Sequence, residues 1–263
     1  MTPVTVTRGT SPIVLAQPHS GTWLPDEVTG ALEPSAHELV DTDWRIPELY
    51  EGLLPDATVV RAEFNRYVID ANRPPDDASL YPGQNTTALV PLHDFDARPI
   101  WRSAPDEAET ARRLALYHAP YHAALREELE RVKAQHGFAV LYDCHSIRSE
   151  APYLFAGTLP DLNIGTNSGA SCSPTIERAV ERACKEAEGF TSVLNGRFKG
   201  GWTTRHYGQP DRGVHAVQME IAQSAYLETE APPFALSNEK SARLRAVLAR
   251  VFAAIEDSFG EIA

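Results

Sequence analysis

Apolar and polar positions along this chain follow two periods, and the changes between them mark its elements. The run PIVLAQ (residues 12–17) is apolar at almost every position and stops at PHSG, which predicts a buried strand followed by a loop. ATVVRAEF (57–64), YVIDAN (67–72), FAVLYD (138–143) and VHAVQMEIA (214–222) predict further strands. Helical spacing takes over in ELVDTDWRIPELYEGLL (38–54), where Pro47 suits the first turn of a second helix. It is strongest over 105–137, where Pro120 is expected to break or kink the helix into two pieces. Residues 173–189 predict a helix with Ser173 as N-cap, Pro174 at the first helical position and Gly189 as its stop, and 238–260 a closing helix. Residues 74–104, rich in Pro, Asp and Gly without a period, predict a long loop, and loops of that length inside compact domains are often functional. The glycine-punctuated stretch 196–213 predicts a second, flexible loop. Strands alternating with helices, without repeats or a linker, predict one α/β domain over residues 1–263. Its central sheet is expected to be mixed, mostly parallel and flanked by helices.

Composition narrows the function. The chain has 263 residues, 43% of them hydrophobic, which is enough for a full core, and its formal net charge is −12. An acidic surface of that size argues against nucleic acid and anionic membrane as partners, because phosphate binding needs a basic surface. An anionic small molecule remains possible only if the site supplies its own positive charge. Cys144, Cys172 and Cys184 are odd in number and lack C-x-x-C spacing, so they read as reduced thiols. With no apolar signal segment at the N-terminus and no window of membrane-spanning length, a cytoplasmic location is expected.

Ligands of open α/β sheets gather beyond the carboxyl ends of the strands. The groups predicted there are His19, the pair Asn72 and Arg73, His145 with Arg148, and Glu220 within the last strand. Two imidazoles, a carboxylate and an asparagine–arginine pair suit metal-assisted hydrolysis of an acidic amide. A zinc ion on two histidines and a carboxylate polarises the carbonyl and brings the pKa of water to about 7. A second carboxylate takes the proton and passes it to the leaving nitrogen. Arginine supplies a planar fork for a substrate carboxylate.

Six motifs in one order, PHSGTWLP, DTDWRIPELY, NRYVIDANR, YHAPYHAAL, LYDCHSIRS and GGWTTRHYGQPDRGVHAVQMEIAQSAY, resemble those of the N-formylglutamate amidohydrolase family. The resemblance runs from about Pro12 into the C-terminal helix. It implies a fold like that of zinc carboxypeptidases and aspartoacylase, and hydrolysis of N-formyl-L-glutamate to formate and L-glutamate, a late step of histidine breakdown. It implies His19 and His145 as zinc ligands, Asn72 and Arg73 as carboxylate binders, and Glu220 as the catalytic base. One departure affects the third ligand. Zinc carboxypeptidases usually carry an acidic residue three positions after the first histidine, and that position is Thr22 here. Asp26, Glu27, Asp41 and Asp43 are the candidates, with Asp43 in DTDW favoured.

Other residues carry competing readings. Asp143 is either a partner that orients an imidazole or part of an Asx-turn. Arg66 and Arg205 are substrate-carboxylate candidates against ordinary ion pairs. His206 and Tyr207 are candidate donors to a tetrahedral intermediate against a packed turn. His93, and the i, i+4 pair His118 and His122, read as packing residues. Cys144 should point away from its neighbours' face of the strand and read as a buried thiol. The expected partner is a small dianionic substrate. Alternatives are a hydrolase of another N-acyl amino acid or of a C-terminal peptide bond, and a non-catalytic binder of acidic amino acids.

Overall fold

The computed structural model describes residues 2–80 and 83–262. One mixed sheet of seven strands organises them: β1 (Val4–Thr7), β2 (Ile13–Gln17), β3 (Thr58–Ala62), β4 (Ala139–Ile147), β5 (Leu162–Gly165), β6 (Ser192–Leu194) and β7 (Val214–Ala222), in the order β1-β3-β2-β4-β7-β5-β6. The central strands β3, β2, β4 and β7 run parallel, while β1 pairs antiparallel with β3 and β5 with β7. The α/β class and the mostly parallel mixed sheet are as expected.

The helices are α1 (Asp26–Ala31), α2 (Ile46–Tyr50), α3 (Glu107–Arg113), α4 (Ala119–His136), α5 (Pro174–Lys185), α6 (Trp202–Tyr207) and α7 (Asn238–Asp257). None is long and apolar enough to cross a membrane among the described residues. Period-two alternation sorts the central strands between two cores. Ile13, Leu15, Val140, Tyr142, Cys144, Val217 and Met219 pack with residues of α5 and α7. Val14, Ala16, Ala139, Leu141, Val214 and Ala216 pack with Tyr121, Leu125 and Leu129 of α4. Burying both faces explains why these strands read as nearly continuous apolar runs.

Local chemistry fixes the helix ends. Asp106 accepts from the Glu109 amide at the start of α3, and Ser173 accepts from the Ile176 amide at the start of α5. Pro120 does not break its helix. A π-helical turn at Leu114–His118 joins α3 to α4, and Pro120 sits in the first turn of α4. The wider turn removes the demand for the amide that proline lacks.

Three expectations are corrected. Residues 67–72 form no strand. The segment is buried throughout, as its apolar pattern required, but side chains capture its amides: Asn65 Oδ1 accepts from Tyr67 N, and Asp70 Oδ1 from Asn72 N. Of the helical pattern over 38–54, only Ile46–Tyr50 is α-helical, because Leu39 and Arg45 take left-handed backbone conformations. The stretch 196–213 contains α6, which glycine-rich composition concealed. Among the described residues of 74–104 there is no helix or strand, only an isolated bridge between His93 and Pro99 and one between Trp101 and Leu32.

Candidate active site

The face of β4 that carries Ala139 and Leu141 into the α4 core continues as Asp143 and His145. On β7 the same face presents Gln218 and Glu220. Register places Asp143 beside Gln218 and His145 beside Glu220. His19 lies just beyond β2, the neighbour of β4. These groups meet at the carboxyl ends of the parallel strands in a cleft that Arg66, Asp70, Asn72 and Arg73 also line.

His19, Asp43 and His145 are all buried, and each offers a ligand atom within 4.8 Å of the others. Asp43 Oδ2 is 3.2 Å from His145 Nδ1 and 3.8 Å from His19 Nδ1. Ligands spaced tetrahedrally around one zinc-sized ion at its usual bond lengths stand about 3.3–3.5 Å apart. The backbone sets this placement, with Asp43 N donating to His19 O and Ser146 N donating to Asp43 Oδ2.

The other ring nitrogens face carboxylates. His19 Nε2 is 2.7 Å from Asp70 Oδ1 and 3.3 Å from Arg66 Nη2. Arginine can only donate and the carboxylate only accept, so the Nε2 proton belongs to Asp70 and Nδ1 keeps its lone pair. His145 Nε2 is 3.0 Å from Asp143 Oδ1 and 3.1 Å from Asn72 Nδ2. Asp43 Oδ1 and Asp143 Oδ1 are enclosed without a hydrogen-bond partner. The donor set fits a cation. With both Nδ1 atoms and Asp43 given to a metal, Asp70 orients the His19 Nε2–H, His145 Nε2 lies between Asn72 Nδ2 and Asp143 Oδ1, and the enclosed Asp43 Oδ1 gains a positive neighbour.

Burial raises the Glu220 carboxyl to about 8; the His145 imidazole opposes this and the Asp43 carboxylate reinforces it. Gln218 Nε2 donates to Glu220 Oε2 at 3.0 Å, and Gly201 N donates to Gln218 Oε1. Burial lowers the His19 imidazole, and Arg66 adds to the effect against Asp70. For Asp70, burial acts to raise the carboxyl, but His19 and Arg66 outweigh it and hold it well below its ordinary range. A cation on the triad would add positive charge beside Glu220 and favour its ionised form.

The anticipated residues fall into two groups. His19, Asp43, Arg66, Asn72, Arg73, His145 and Glu220 all line the cleft. Arg66 donates to Asp70 Oδ2 at 2.9 Å and to Asp41 O at 3.1 Å, so it braces Asp70 behind His19. Asn72 Oδ1 accepts from Thr203 N, and Gly201 is required beside it because a Cβ there would lie 2.3 Å from Asn72 Nδ2. Arg205, His206 and Tyr207 are not among the lining residues. Arg205 donates to Gly200 O and Leu80 O, His206 stacks on Trp202, and Tyr207 Oη lies 3.1 Å from both Nδ1 and O of His122. Among the other third-ligand candidates, Asp26 and Glu27 start α1, and Asp41 accepts from Tyr67 Oη and Phe95 N. Arg148 pairs with Asp96. Cys144 is buried in the core with Tyr142, on the face opposite His145, as expected of a structural thiol.

Asp70, Gln218 and Arg197 emerge only from the structure. Asp70 lies inside the NRYVIDANR motif, and Gln218 is two positions before Glu220, the strand period that shares a face. Arg197 lines the cleft and donates to Leu154 O and Asn85 O. The long loop supplies one wall with Asn85, Thr86, Thr87 and Phe95, and Thr87 Oγ1 accepts from Arg73. Arg66, Arg73 and Arg197 thus provide the local positive charge that an anionic ligand requires of a chain with net charge −12.

Two imidazoles, several buried carboxylates and a group of guanidiniums at the carboxyl edge of a parallel sheet make this the cleft of a hydrolytic enzyme. Comparison with known proteins agrees. The family model described as N-formylglutamate amidohydrolase matches residues 11–227. An N-formylglutamate deformylase from Pseudomonas aeruginosa is 49% identical over 92% of this chain and 91% of its own. Another from Pseudomonas putida is 46% identical over 94% and 93%. The crystal structure of an N-formylglutamate amidohydrolase from Ralstonia eutropha JMP134 superposes with a TM-score of 0.81 at 27% identity, covering 97% of each chain. The chain belongs to the N-formylglutamate amidohydrolase family.

Proposed function

We propose that this protein is a zinc-dependent amidohydrolase that cleaves N-formyl-L-glutamate to formate and L-glutamate, a step of histidine breakdown. The observation that carries the reading is the convergence of His19, Asp43 and His145 opposite Glu220, in a chain with this family membership. His19 Nδ1, His145 Nδ1 and the Asp43 carboxylate would hold the ion. Bound there, zinc would supply Lewis-acid polarisation of the formyl carbonyl and acidify water to a pKa near 7.

The chain's own groups do the rest. Asp70 keeps the His19 imidazole in the ligating tautomer, and Asn72 and Asp143 flank Nε2 of His145. Glu220, its Oε2 fixed by Gln218, accepts the proton of the attacking water through its other oxygen and delivers it to the departing amine. Arg73 and Arg197 bind the two substrate carboxylates through charge-assisted hydrogen bonds that neutral analogues cannot match. Phe95, Ile147, Leu154 and Phe198 limit water on the apolar side of the cleft.

The test is metal analysis of the purified protein with formate release from N-formyl-L-glutamate, before and after chelation. Zinc near one equivalent, loss of release on chelation and recovery with added zinc are expected. Release that survives complete metal removal refutes the metal assignment. Faster release of another acyl group from N-acyl glutamates or aspartates refutes the substrate.

A further inference from the structure

The motif YHAPYHAAL contributes two imidazoles that touch neither the metal-binding residues nor the cleft surface. His118 Nε2 is 2.9 Å from Arg73 O, and His122 Nε2 is 2.8 Å from Ala71 O. Both nitrogens therefore donate to carbonyls that flank Asn72, within the buried segment that forms no strand. Residues merely filling space would present ring faces and edges to apolar neighbours. These two, one helical turn apart, direct their polar atoms at the same three residues. Their rings also contact Trp202, with centroids 5.4 Å and 4.4 Å away. From that side Trp202 N approaches Asn72 O at 3.4 Å and Thr203 N donates to Asn72 Oδ1 at 2.8 Å. His118 closes the π-helical turn Leu114–His118, a local irregularity that often marks functional positions in helices.

We infer that His118 and His122 are positioning residues, which set the place of Asn72 and Arg73 in the cleft by holding the carbonyls on either side. The inference rests on the reading of Arg73 as a substrate-carboxylate binder. An irregular buried segment has no ladder to fix it, so its position follows from the side-chain donors that satisfy its carbonyls. Loss of the His118 bond would release the Arg73 carbonyl and weaken substrate binding, while Asn72, still held by Asp70 Oδ1 and Thr203 N, keeps its contact with His145.

Two substitutions of similar polarity separate positioning from packing. His118→Asn puts its amide near the former Nδ1 and loses the bond, whereas His118→Gln reaches the Nε2 position and keeps it. His118→Asn is expected to raise KM for N-formyl-L-glutamate about tenfold, the effect of one buried hydrogen bond, with kcat and zinc content unchanged. His118→Gln should stay within about twofold of the native KM. In an Arg73→Ala background, His118→Asn should raise KM no further, because the group it positions is gone. Equal KM values for the Asn and Gln variants, or a full multiplicative effect on top of Arg73→Ala, would overturn the inference. Should Arg73→Ala alone leave KM unchanged, the carboxylate reading fails and the positioning role fails with it. A normal KM in His118→Asn beside a raised KM in Arg73→Ala overturns the positioning role alone. The pair His122→Asn and His122→Gln repeats the comparison at the Ala71 carbonyl.

Discussion

Asp70→Asn tests the reasoning about the metal site most sharply, because it changes one atom in a side chain that touches no ligand of the substrate. Asp70 Oδ1 lies 2.7 Å from His19 Nε2 and accepts from Asn72 N at 2.8 Å, and Oδ2 accepts from Arg66 at 2.9 Å. An asparagine has one acceptor to cover both sides. If its oxygen faces His19, the amide NH2 meets the buried Arg66 guanidinium, donor against donor. If the amide turns round, NH2 faces His19 Nε2 and forces the proton onto Nδ1, the atom needed for the metal. The first arrangement breaks a buried ion pair and is expected to destabilise the metal-free protein by about 3 kcal/mol. The second weakens zinc binding, as loss of a partner behind a ligand does, by about 10- to 100-fold, or about 1.4–2.7 kcal/mol. Denaturant titration of the metal-free protein measures the first quantity, and competition against a fluorescent chelator the second. A variant with native stability and native zinc affinity would show that Asp70 does not orient His19, and the assignment of Nδ1 as the ligating atom would go with it.

Glu220→Gln should retain zinc and the Gln218 contact while turnover falls by about 10²–10⁴, measured as formate release; near-native turnover removes Glu220 from the base role. Asp43→Ala should strip most of the zinc in elemental analysis, whereas Asp41→Ala should not. Arg73→Ala should raise KM by at least about tenfold for the dianionic substrate and less for N-formyl amides lacking a carboxylate. Burial raises Asp41 to about 7, above its unfolded value, so its contribution to stability is present in full in acid and is lost as pH rises through about 7. Melting curves of the chelated protein should therefore show Asp41→Asn gaining stability over the parent between about pH 4 and 7, and parallel curves would refute the assignment.

What could be read from the sequence follows from how locally each feature is determined. Strands β2, β4 and β7 were legible because burial on both faces makes them continuous apolar runs, and the start of α5 because Ser173 and Pro174 mark it; the helix ends at Lys185, short of the expected stop at Gly189. The short strands β1, β5 and β6 depend on neighbours supplied from elsewhere in the chain and carry too few residues to show a period. Residues 67–72 have a strand's pattern but not its backbone, because Asn65 and Asp70 offer the amides closer partners than a ladder would. His19 and His145 stood out by closing or continuing buried strands. Choosing Asp43 over Asp41 requires the direction in which the 41–43 turn faces, since Asp43 meets Ser146 of β4 whereas Asp41 meets Phe95 of the long loop. Asp70 sat inside an expected strand with nothing to single it out until the fold brought His19 and Arg66 to its two oxygens.

The His145–Glu220 rung has a last implication, for how this protein can change. Cys144 and Met219 form the adjacent rung on the opposite face. Deleting a single residue within β4 ahead of Cys144 would slide the rest of that strand by one position, putting Ser146 where His145 faces the cleft and an imidazole in the place of Cys144, among Tyr50 and Tyr142. Chemistry and folding are thus written in the same reading frame here. Substitution in β4 and β7 can tune one face at a time, but any change of length there loses the cleft and the core in one stroke, so new specificities must arise in the loops that wall the cleft.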